Sequence, residues 1–410
     1  MKVPRSAGSI TKIQDDLVHP PLHIVADENI PFVREAFGDL GTVETMPGRE
    51  MSSRAIRSAD VLLVRSVTRV DADLINGSSV KFVGSATIGT DHVDTALLKR
   101  QGIVFAHAPG SNAESVVEYV IAALFQLSVQ NGETIRGKTA GIIGCGNIGG
   151  QLAVRLPAFG VRVLMNDPPL AEFAEKEGLS HDYKPLSHLL AEADIITLHV
   201  PLVRDGENQT YHLIDADRLA RMKIGAWLVN SSRGAAVSNK DLLAAYRNGR
   251  VGACALDVWE GEPAPMASLL DAVDLATPHI AGYSFDGKVR GMEMLRDALI
   301  SLLEKPEPSD LASLYSGGTQ DHLALSLPPI ELSETAWLHR LVGSMYNIGN
   351  DDRRMRSMLA VSSDAQRVRF VEMRKKYPRR RAFSRHNLCL DGVPGDLQCA
   401  VREGLRVGQA

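Results

Sequence analysis

Short apolar runs alternate with polar or glycine-bearing turns along most of the chain. Leu22–Asn29 (LHIVADEN) reads as a strand ending in polar residues. PFVREAFGDLG is helical, with Pro31 at its start and Gly41 past its end. VETM and ADVLLVRS read as further strands with a polar helix between them. VKFVGSATIGTDHVD is a strand, a Gly/Thr turn and a helix start, and GIVFAHAPG continues the alternation. Residues 22 to about 110 therefore predict an α/β domain with a parallel sheet. Ser111–Asn131 has apolar residues at helical spacing over its whole length. A second α/β series follows it, with strands in ADIITLHVP, AWLVNSSRG, ACALDVWEGEP and DLATPHIAGY. Ser284–Glu304 is again helical. The stretch to about Pro329 contains Pro and Ser and reads as a linker. Beyond it the chain is rich in Arg and Lys, and WLHRLVGSMYNIGNDDRRMRSML reads as a helix followed by a charged turn. Met345 and Met355 read as core fillers.

The second series opens on a diagnostic stretch. Thr139–Ile143 is an apolar strand, Gly144-Cys145-Gly146-Asn147-Ile148-Gly149 is a G-x-G-x-x-G turn, and a helical pattern runs to Phe159 with Gly160 as its stop. A second strand, Val161–Met165, leads to Asp167. A strand–turn–helix–strand unit closing on an acidic residue is the layout of a dinucleotide-binding fold. Gly144 permits the tight turn, Gly146 lets backbone N–H groups approach a pyrophosphate, and Gly149 lets helix and strand pack closely. Asp167 suits ribose hydroxyls and repels a 2′-phosphate, which favours NAD over NADP. Pro157 should shorten or kink the helix.

Composition narrows the class. The chain has 410 residues, 44% hydrophobic and 23% charged, as expected of a globular protein of two or three domains. A net charge of −4 carries no global signal for nucleic acid or a membrane surface. The four cysteines have neither metal-ligand nor redox spacing, which fits a reducing cytoplasm. No apolar run reaches membrane-spanning length, so no membrane span is expected, and the cysteine spacing gives no expectation of a metal. Residues 1–21 lack the apolar core of a signal peptide and read as a disordered extension or as the product of a start codon placed too early.

In an open parallel sheet, ligands bind where strands end. Those ends here carry Arg233 in NSSRG, Asp257 in ALDVW, Glu262 in GEP and His279 in TPHIAGY. Oxidising an alcohol by hydride transfer needs a base for the hydroxyl proton, and histidine titrates in the right range. A carboxylate such as Glu262 would orient the ring and stabilise its charged form. Arginine offers a planar fork for a substrate carboxylate.

The array SSRG, LDVWEGEP and TPHIAGY resembles the signature of the NAD-dependent D-2-hydroxyacid dehydrogenases. The blocks VADENIPF, LLVRSVTRV, KFVGSATIGTDHVD, APGSNAESVVEYV and TPHIAGYSFDGKVRG resemble the branch of that family acting on 4-phospho-D-erythronate in vitamin B6 biosynthesis. The resemblance runs from about His23 to Glu304 and continues more weakly through WLHRLVGSMYNIGNDDRRMR and FVEMRKKYPRRRAF. It implies a Rossmann-type NAD-binding domain over 113–283. A flavodoxin-like substrate domain would comprise 22–112 and 284–304, followed by a linker over 305–329. A C-terminal α+β dimerisation domain over 330–410 implies a homodimer.

The resemblance also implies roles. His279 is the acid/base, Glu262 its carboxylate partner, and Arg233 the ligand of the substrate carboxylate and hydroxyl oxygen. Ser66, Thr87 and Tyr283 fall where the family contacts substrate. Val200, Ser231, Ser232, Asp257 and Gly282 fall where it lines the NAD site, beside Gly144, Gly146, Asn147, Ile148, Gly149 and Asp167. Arg65 is a further candidate, for the substrate phosphate. Ser231-Ser232 stands where the family more usually has Ala-Cys, and Ser111 replaces a Cys.

Other readings compete. A related dehydrogenase acting on 3-phosphoglycerate shares most of these features. Members of the superfamily also serve as NAD-sensing co-repressors, against which the complete Arg/Glu/His set argues. His92 and His107 read as structural or supporting residues. The basic run Arg374–Arg381 lacks a nucleic-acid module and reads as a solvated or subunit-facing patch.

Overall fold

The structure is a computed structural model that describes residues 21–305 and 323–409. The expected extension over 1–21 lies outside the described residues except for residue 21. The expected linker over 305–329 is described only at 305 and 323–329, where Leu323–Ala324 forms a sheet strand and the Pro328 carbonyl accepts the Trp337 indole N–H, so this end is part of the fold and not a linker. The described residues form two compact units, 21–112 with 285–305 and 113–284 with 323–409.

The first unit holds a five-stranded parallel sheet of β1 (Leu22–Asp27), β2 (Gly41–Met46), β3 (Val61–Val64), β4 (Phe82–Ser85) and β5 (Val104–His107), in the order β2-β1-β3-β4-β5. That is the flavodoxin-like order. β3 and β4 are buried along their whole length, because both faces of the sheet are covered. The helix Phe285–Leu303 buries Met292, Leu295 and Leu299 against Ile24, Leu63 and Phe82. The polar helix expected between β2 and β3 is absent. A single 3-10 turn, Gly48–Glu50, and a run of turns stand there instead, with Ile56 as a buried anchor. Ala59 is buried beside Ile56 and Met51 packs partly against the same cluster, still too little apolar surface to hold a helix on the sheet.

The second unit holds β6 (Thr139–Ile143), β7 (Arg162–Asn166), β8 (Ile195–Leu198), β9 (Ala226–Asn230), β10 (Val251–Leu256) and β11 (Leu275–Ala276), all parallel, in the order β11-β10-β9-β8-β6-β7. A lone bridge from Met165 to Tyr183 extends it beyond β7. With that bridge as a vestigial edge strand, the order is that of a Rossmann sheet. Pro157 acts as expected: the helix after the glycine loop is α-helical only over Gly149–Arg155 and tightens to 3-10 over Leu156–Phe159. Gly160 closes it in the left-handed conformation, at φ 72°.

The C-terminal segment shares the core of this second unit. Trp337, Leu341, Phe383 and Leu405 pack in one cluster with Val120, Leu124 and Phe159. Met355 and Phe370 join the cluster on the other face of the sheet. The segment adds a three-stranded sheet, β12 (Leu323–Ala324), β13 (His386–Leu388) and β14 (Gly408–Gln409), and several helices. The charged turn expected after Met345 is a second helix, Ile348–Arg356. In it Asp352 and Arg356 pair one turn apart at 2.9 Å, and Asp351 is buried against the hydroxyls of Tyr346 and Tyr377.

Burial of Glu118, inside the helix Ala113–Asn131, joins these parts at a cost. One of its oxygens accepts the Phe383 N–H. Burial pushes its carboxyl up to about 8, against the lowering influence of Arg380, the Phe383 N–H and Arg155, with Glu114 adding to the rise. The folded value lies above the ordinary 4.5. The stability this group contributes is therefore full below that ordinary value and is lost as pH rises through the folded one. In a melting series from pH 5 to pH 8.5, the wild-type midpoint should fall more steeply than that of Glu118→Gln. Parallel curves would show that Glu118 does not titrate in this range.

Candidate active site

Three successive strand ends of the Rossmann sheet converge. β9 runs into Ser231, Ser232 and Arg233. Asn230 fixes this turn: its amide donates to the Arg233 carbonyl at 3.0 Å, and its carbonyl accepts the Ser232 N–H and hydroxyl at 3.1 and 2.9 Å. Arg233 is half-buried and donates to the Ser232 carbonyl at 2.9 Å. Gly234 follows because a β-carbon there would lie 2.1 Å from the Trp259 backbone. The absence of a side chain thus lets the arginine turn pack on the loop that carries Glu262.

β10 runs into Asp257. Its carboxylate is buried and accepts from Ile280 N–H at 2.7 Å, Thr277 hydroxyl at 2.6 Å and Ala281 N–H at 2.8 Å. Its own carbonyl accepts the His279 N–H at 2.7 Å. Four bonds therefore grip the segment after β11. They hold His279 at φ 56°, a left-handed conformation that a non-glycine residue adopts only when its surroundings impose it.

The ring of His279 then meets Glu262, Nδ1 to Oε2, at 2.8 Å, while Oε1 of Glu262 accepts the Trp259 N–H at 2.8 Å. Burial alone would raise the Glu262 carboxyl. The charge and hydrogen bond of His279, the Trp259 N–H and the charge of Arg374 outweigh it, and the net direction is downward. Glu262 is thus a carboxylate across the neutral range, and it accepts from Nδ1–H. That tautomer leaves Nε2 as the basic nitrogen.

The glycine loop fits a dinucleotide. Gly144 has φ 86°, and a β-carbon there would lie 2.7 Å from the His199 carbonyl and 2.9 Å from a methyl of Val200. A β-carbon on Gly149 would lie 2.0 Å from the Gly144 carbonyl, whereas one on Gly146 would meet nothing within 4 Å. Gly144 and Gly149 serve the protein's own packing, and Gly146 keeps space open above the turn. The N–H groups of Asn147, Ile148 and Gly149 make no hydrogen bond among the described residues. Asp167 accepts from Cys145 N–H at 2.7 Å and from Leu170 N–H at 3.1 Å. These two bonds orient its carboxylate and leave lone pairs for ribose hydroxyls.

The remaining candidates divide between the units. Gly282 and Tyr283 continue the His279 segment, with Tyr283 N–H donating to the Ile280 carbonyl at 2.8 Å. Arg65 and Ser66 follow β3 in the first unit, and Thr87 follows β4 there. Ser85 bonds both the Thr87 hydroxyl at 2.8 Å and His92 at 3.0 Å, and His107 bonds the Ile88 carbonyl at 3.1 Å. His92 and His107 therefore shape the Thr87 turn, as their supporting reading implied.

The basic run divides: Lys375, Lys376 and Arg379 are exposed, in line with the solvated reading, and its last two arginines depart from it. Arg380 and Arg381 are buried, at 5% and 9% exposure, not solvated. Arg380 donates to the carbonyls of Ala281 at 2.6 Å and Ser115 at 2.9 Å, and its guanidinium lies over Tyr346 at 4.4 Å. It thereby braces the His279 segment from behind. No local signal marked it, because an arginine in a run of cations looks the same whether solvated or buried.

The NAD-binding domain model of the D-isomer specific 2-hydroxyacid dehydrogenases matches residues 118–281, and a domain of unknown function matches residues 328–398. The erythronate-4-phosphate dehydrogenase of Salinibacter ruber is 50% identical over 94% of this chain and 98% of its own. That of Pectobacterium carotovorum subsp. carotovorum is 43% identical over 92% of this chain and 96% of its own. The chain belongs to the erythronate-4-phosphate dehydrogenase family. Among solved structures, the D-lactate dehydrogenase of Aquifex aeolicus complexed with NAD and lactic acid aligns with TM-score 0.56 and 26% identity. It covers 69% of this chain and 96% of its own. NAD is the family's cofactor, and the matched NAD-binding domain contains the glycine loop.

The two glycines make separable predictions. Gly149→Ala should lower the folding stability by about 1–3 kcal/mol, because its methyl would overlap backbone. Gly146→Ala should leave the melting temperature near that of wild type and weaken NAD⁺ binding on the order of tenfold or more. Calorimetric melting and NAD⁺ titration of both variants check this; equal melting loss in the two would contradict it.

Proposed function

We infer that this chain is the NAD-dependent dehydrogenase that oxidises the C2 hydroxyl of 4-phospho-D-erythronate to (R)-3-hydroxy-2-oxo-4-phosphooxybutanoate in pyridoxal 5′-phosphate biosynthesis. The observation that carries the chemistry is the 2.8 Å bond between His279 and Glu262, with Arg233 on a neighbouring strand end. Family membership carries the substrate. When bound, NAD⁺ supplies the acceptor for the C2 hydride. Arg233 holds the substrate carboxylate and draws on the hydroxyl oxygen. Nε2 of His279 takes the hydroxyl proton, and the Glu262 carboxylate stabilises the imidazolium that forms. Asp257 keeps the imidazole in place throughout, so little reorganisation accompanies proton transfer. Ser66, Thr87 and Tyr283 are the proposed further substrate contacts, and Arg65 a proposed phosphate ligand. Val200, Ser231, Ser232, Asp257 and Gly282 are proposed to line the cofactor with the glycine loop and Asp167.

No helix among the described residues is long and apolar enough to cross a membrane. We propose a cytoplasmic enzyme, in keeping with its four free cysteines, and a homodimer assembled through the C-terminal segment. Light scattering should give twice the 44.4 kDa chain mass; a monomer at assay concentration would refute the dimer.

His279→Ala should lower kcat on the order of a hundredfold to ten-thousandfold, and Glu262→Gln on the order of tenfold or more, with NAD⁺ affinity little changed. Steady-state NADH production measures both, and near wild-type turnover by His279→Ala would remove the assigned base. A panel including 3-phosphoglycerate should rank 4-phospho-D-erythronate first. Preference for 3-phosphoglycerate would reassign the substrate, and failure to turn over any acid would favour the NAD-sensing reading.

A further inference from the structure

The C-terminal segment brings a cation to the catalytic pair that the reaction derived above leaves without a task. The helix Ser363–Lys375 carries Arg374 in its last turn. The Arg374 guanidinium carbon stands 5.5 Å from the centroid of the Tyr283 ring, and Tyr283 packs edge-on against Tyr377 at 5.9 Å. Tyr283 lies only one turn of chain beyond His279. The charge of Arg374 is also felt at Glu262, where it helps to hold the carboxylate ionised.

Among the described residues, Arg374 makes no direct ion pair, although it shares the field of the Glu262 carboxylate. Its Nε is shielded from solvent and has no hydrogen-bond partner. Among the described residues, no carboxylate lies within ion-pair distance of its guanidinium. The next cations differ: Lys375 and Lys376 are exposed, and Lys376 pairs with Glu372 at 3.3 Å. A partly desolvated guanidinium beside an aromatic ring, unpaired and next to a catalytic site, is costly unless an anion arrives there.

The substrate reading supplies such an anion. A phosphorylated 2-hydroxy acid presents a carboxylate and a phosphate, and Arg233 is one fork for one of them. The phosphate needs further cationic, hydrogen-bonding partners, for which arginine is the best-suited side chain. We propose that Arg374 binds the substrate phosphate and so selects the phosphorylated acid over its unphosphorylated counterpart. This rests on the substrate reading of the preceding subsection. Chain length points the same way. The lactate-bound Aquifex enzyme, whose substrate has no phosphate, accounts for 96% of itself but 69% of this chain. The two relatives named for a phosphorylated substrate span 92% and 94% of it. Arg374 lies within the separately matched segment 328–398.

The test compares 4-phospho-D-erythronate with D-erythronate, using wild type, Arg374→Ala and Arg374→Lys. Circular dichroism and NAD⁺ titration establish that each variant is folded. In Arg374→Ala, the ratio of kcat/KM for the phosphorylated to the unphosphorylated acid should fall on the order of a hundredfold, mainly through KM. Arg374→Lys should recover part of that loss, as a point charge without the fork. Equal losses on the two acids, or no loss, overturn the assignment. Calorimetric binding of 4-phospho-D-erythronate separates this failure from that of the substrate reading. If wild type does not turn over the phosphorylated acid, the substrate reading falls; equal binding of it by wild type and Arg374→Ala overturns the role of Arg374 in either case.

Discussion

The buried carboxylate of Asp257 is the constraint on which the site depends. Two N–H groups and one hydroxyl from the segment Thr277–Ala281 converge on it, and its backbone carbonyl takes the His279 N–H as well. A histidine at φ 56° stores strain that only such a set of bonds can hold. Tyr119 extends the set, bonding the Thr277 hydroxyl at 2.8 Å from the long helix of the same unit, and Trp259 bonds the Thr277 carbonyl at 3.0 Å. The His279–Glu262 pair is therefore oriented by groups on β10, on the long helix and on its own segment, with no dependence on the exposed tips of loops.

A second layer of support comes from the far end of the chain. Arg380 grips the Ala281 carbonyl, Glu118 holds the Phe383 N–H, and Asp351 gathers two tyrosine hydroxyls beside them. These are buried polar and ionisable groups, Arg380 charged and Glu118 with its carboxyl pushed up to about 8, and leaving one without its partner is costly in a low-dielectric setting. Such a network explains why the C-terminal segment shares one hydrophobic cluster with the nucleotide-binding sheet. Its arginines would otherwise have neither carbonyls nor carboxylates to satisfy them.

Much of this was legible from local pattern. Doubly buried parallel strands read as apolar runs and Gly160 read as a helix stop, whereas the helix expected to run up to Gly41 ends at Phe37 and Gly41 opens β2. Pro157 announced the change from α to 3-10 geometry. Asp167, Arg233, Glu262 and His279 stood at strand ends, where chemistry was to be sought, and the structure places the last three within one set of adjoining loops. Where local pattern misled, the cause was competition between weak local preference and tertiary packing. The polar stretch between β2 and β3 had too little apolar surface to keep a helix. The acidic and basic residues after Met345 had enough, once Ile348 and Met355 were buried on one side.

What the sequence determined by itself was the order of elements, the site of the dinucleotide turn and the residue types at the strand ends. These follow from periodicity, glycine geometry and proline stereochemistry, which act over a few residues. What only the tertiary structure decided was which charges are buried and what they hold. Arg380 reaches carbonyls 99 and 265 residues away, and Arg374 meets a tyrosine on the segment that carries His279. In the sequence these were cations in one basic run. Burial distinguished them, because a charge removed from water must find its partners wherever the fold brings them.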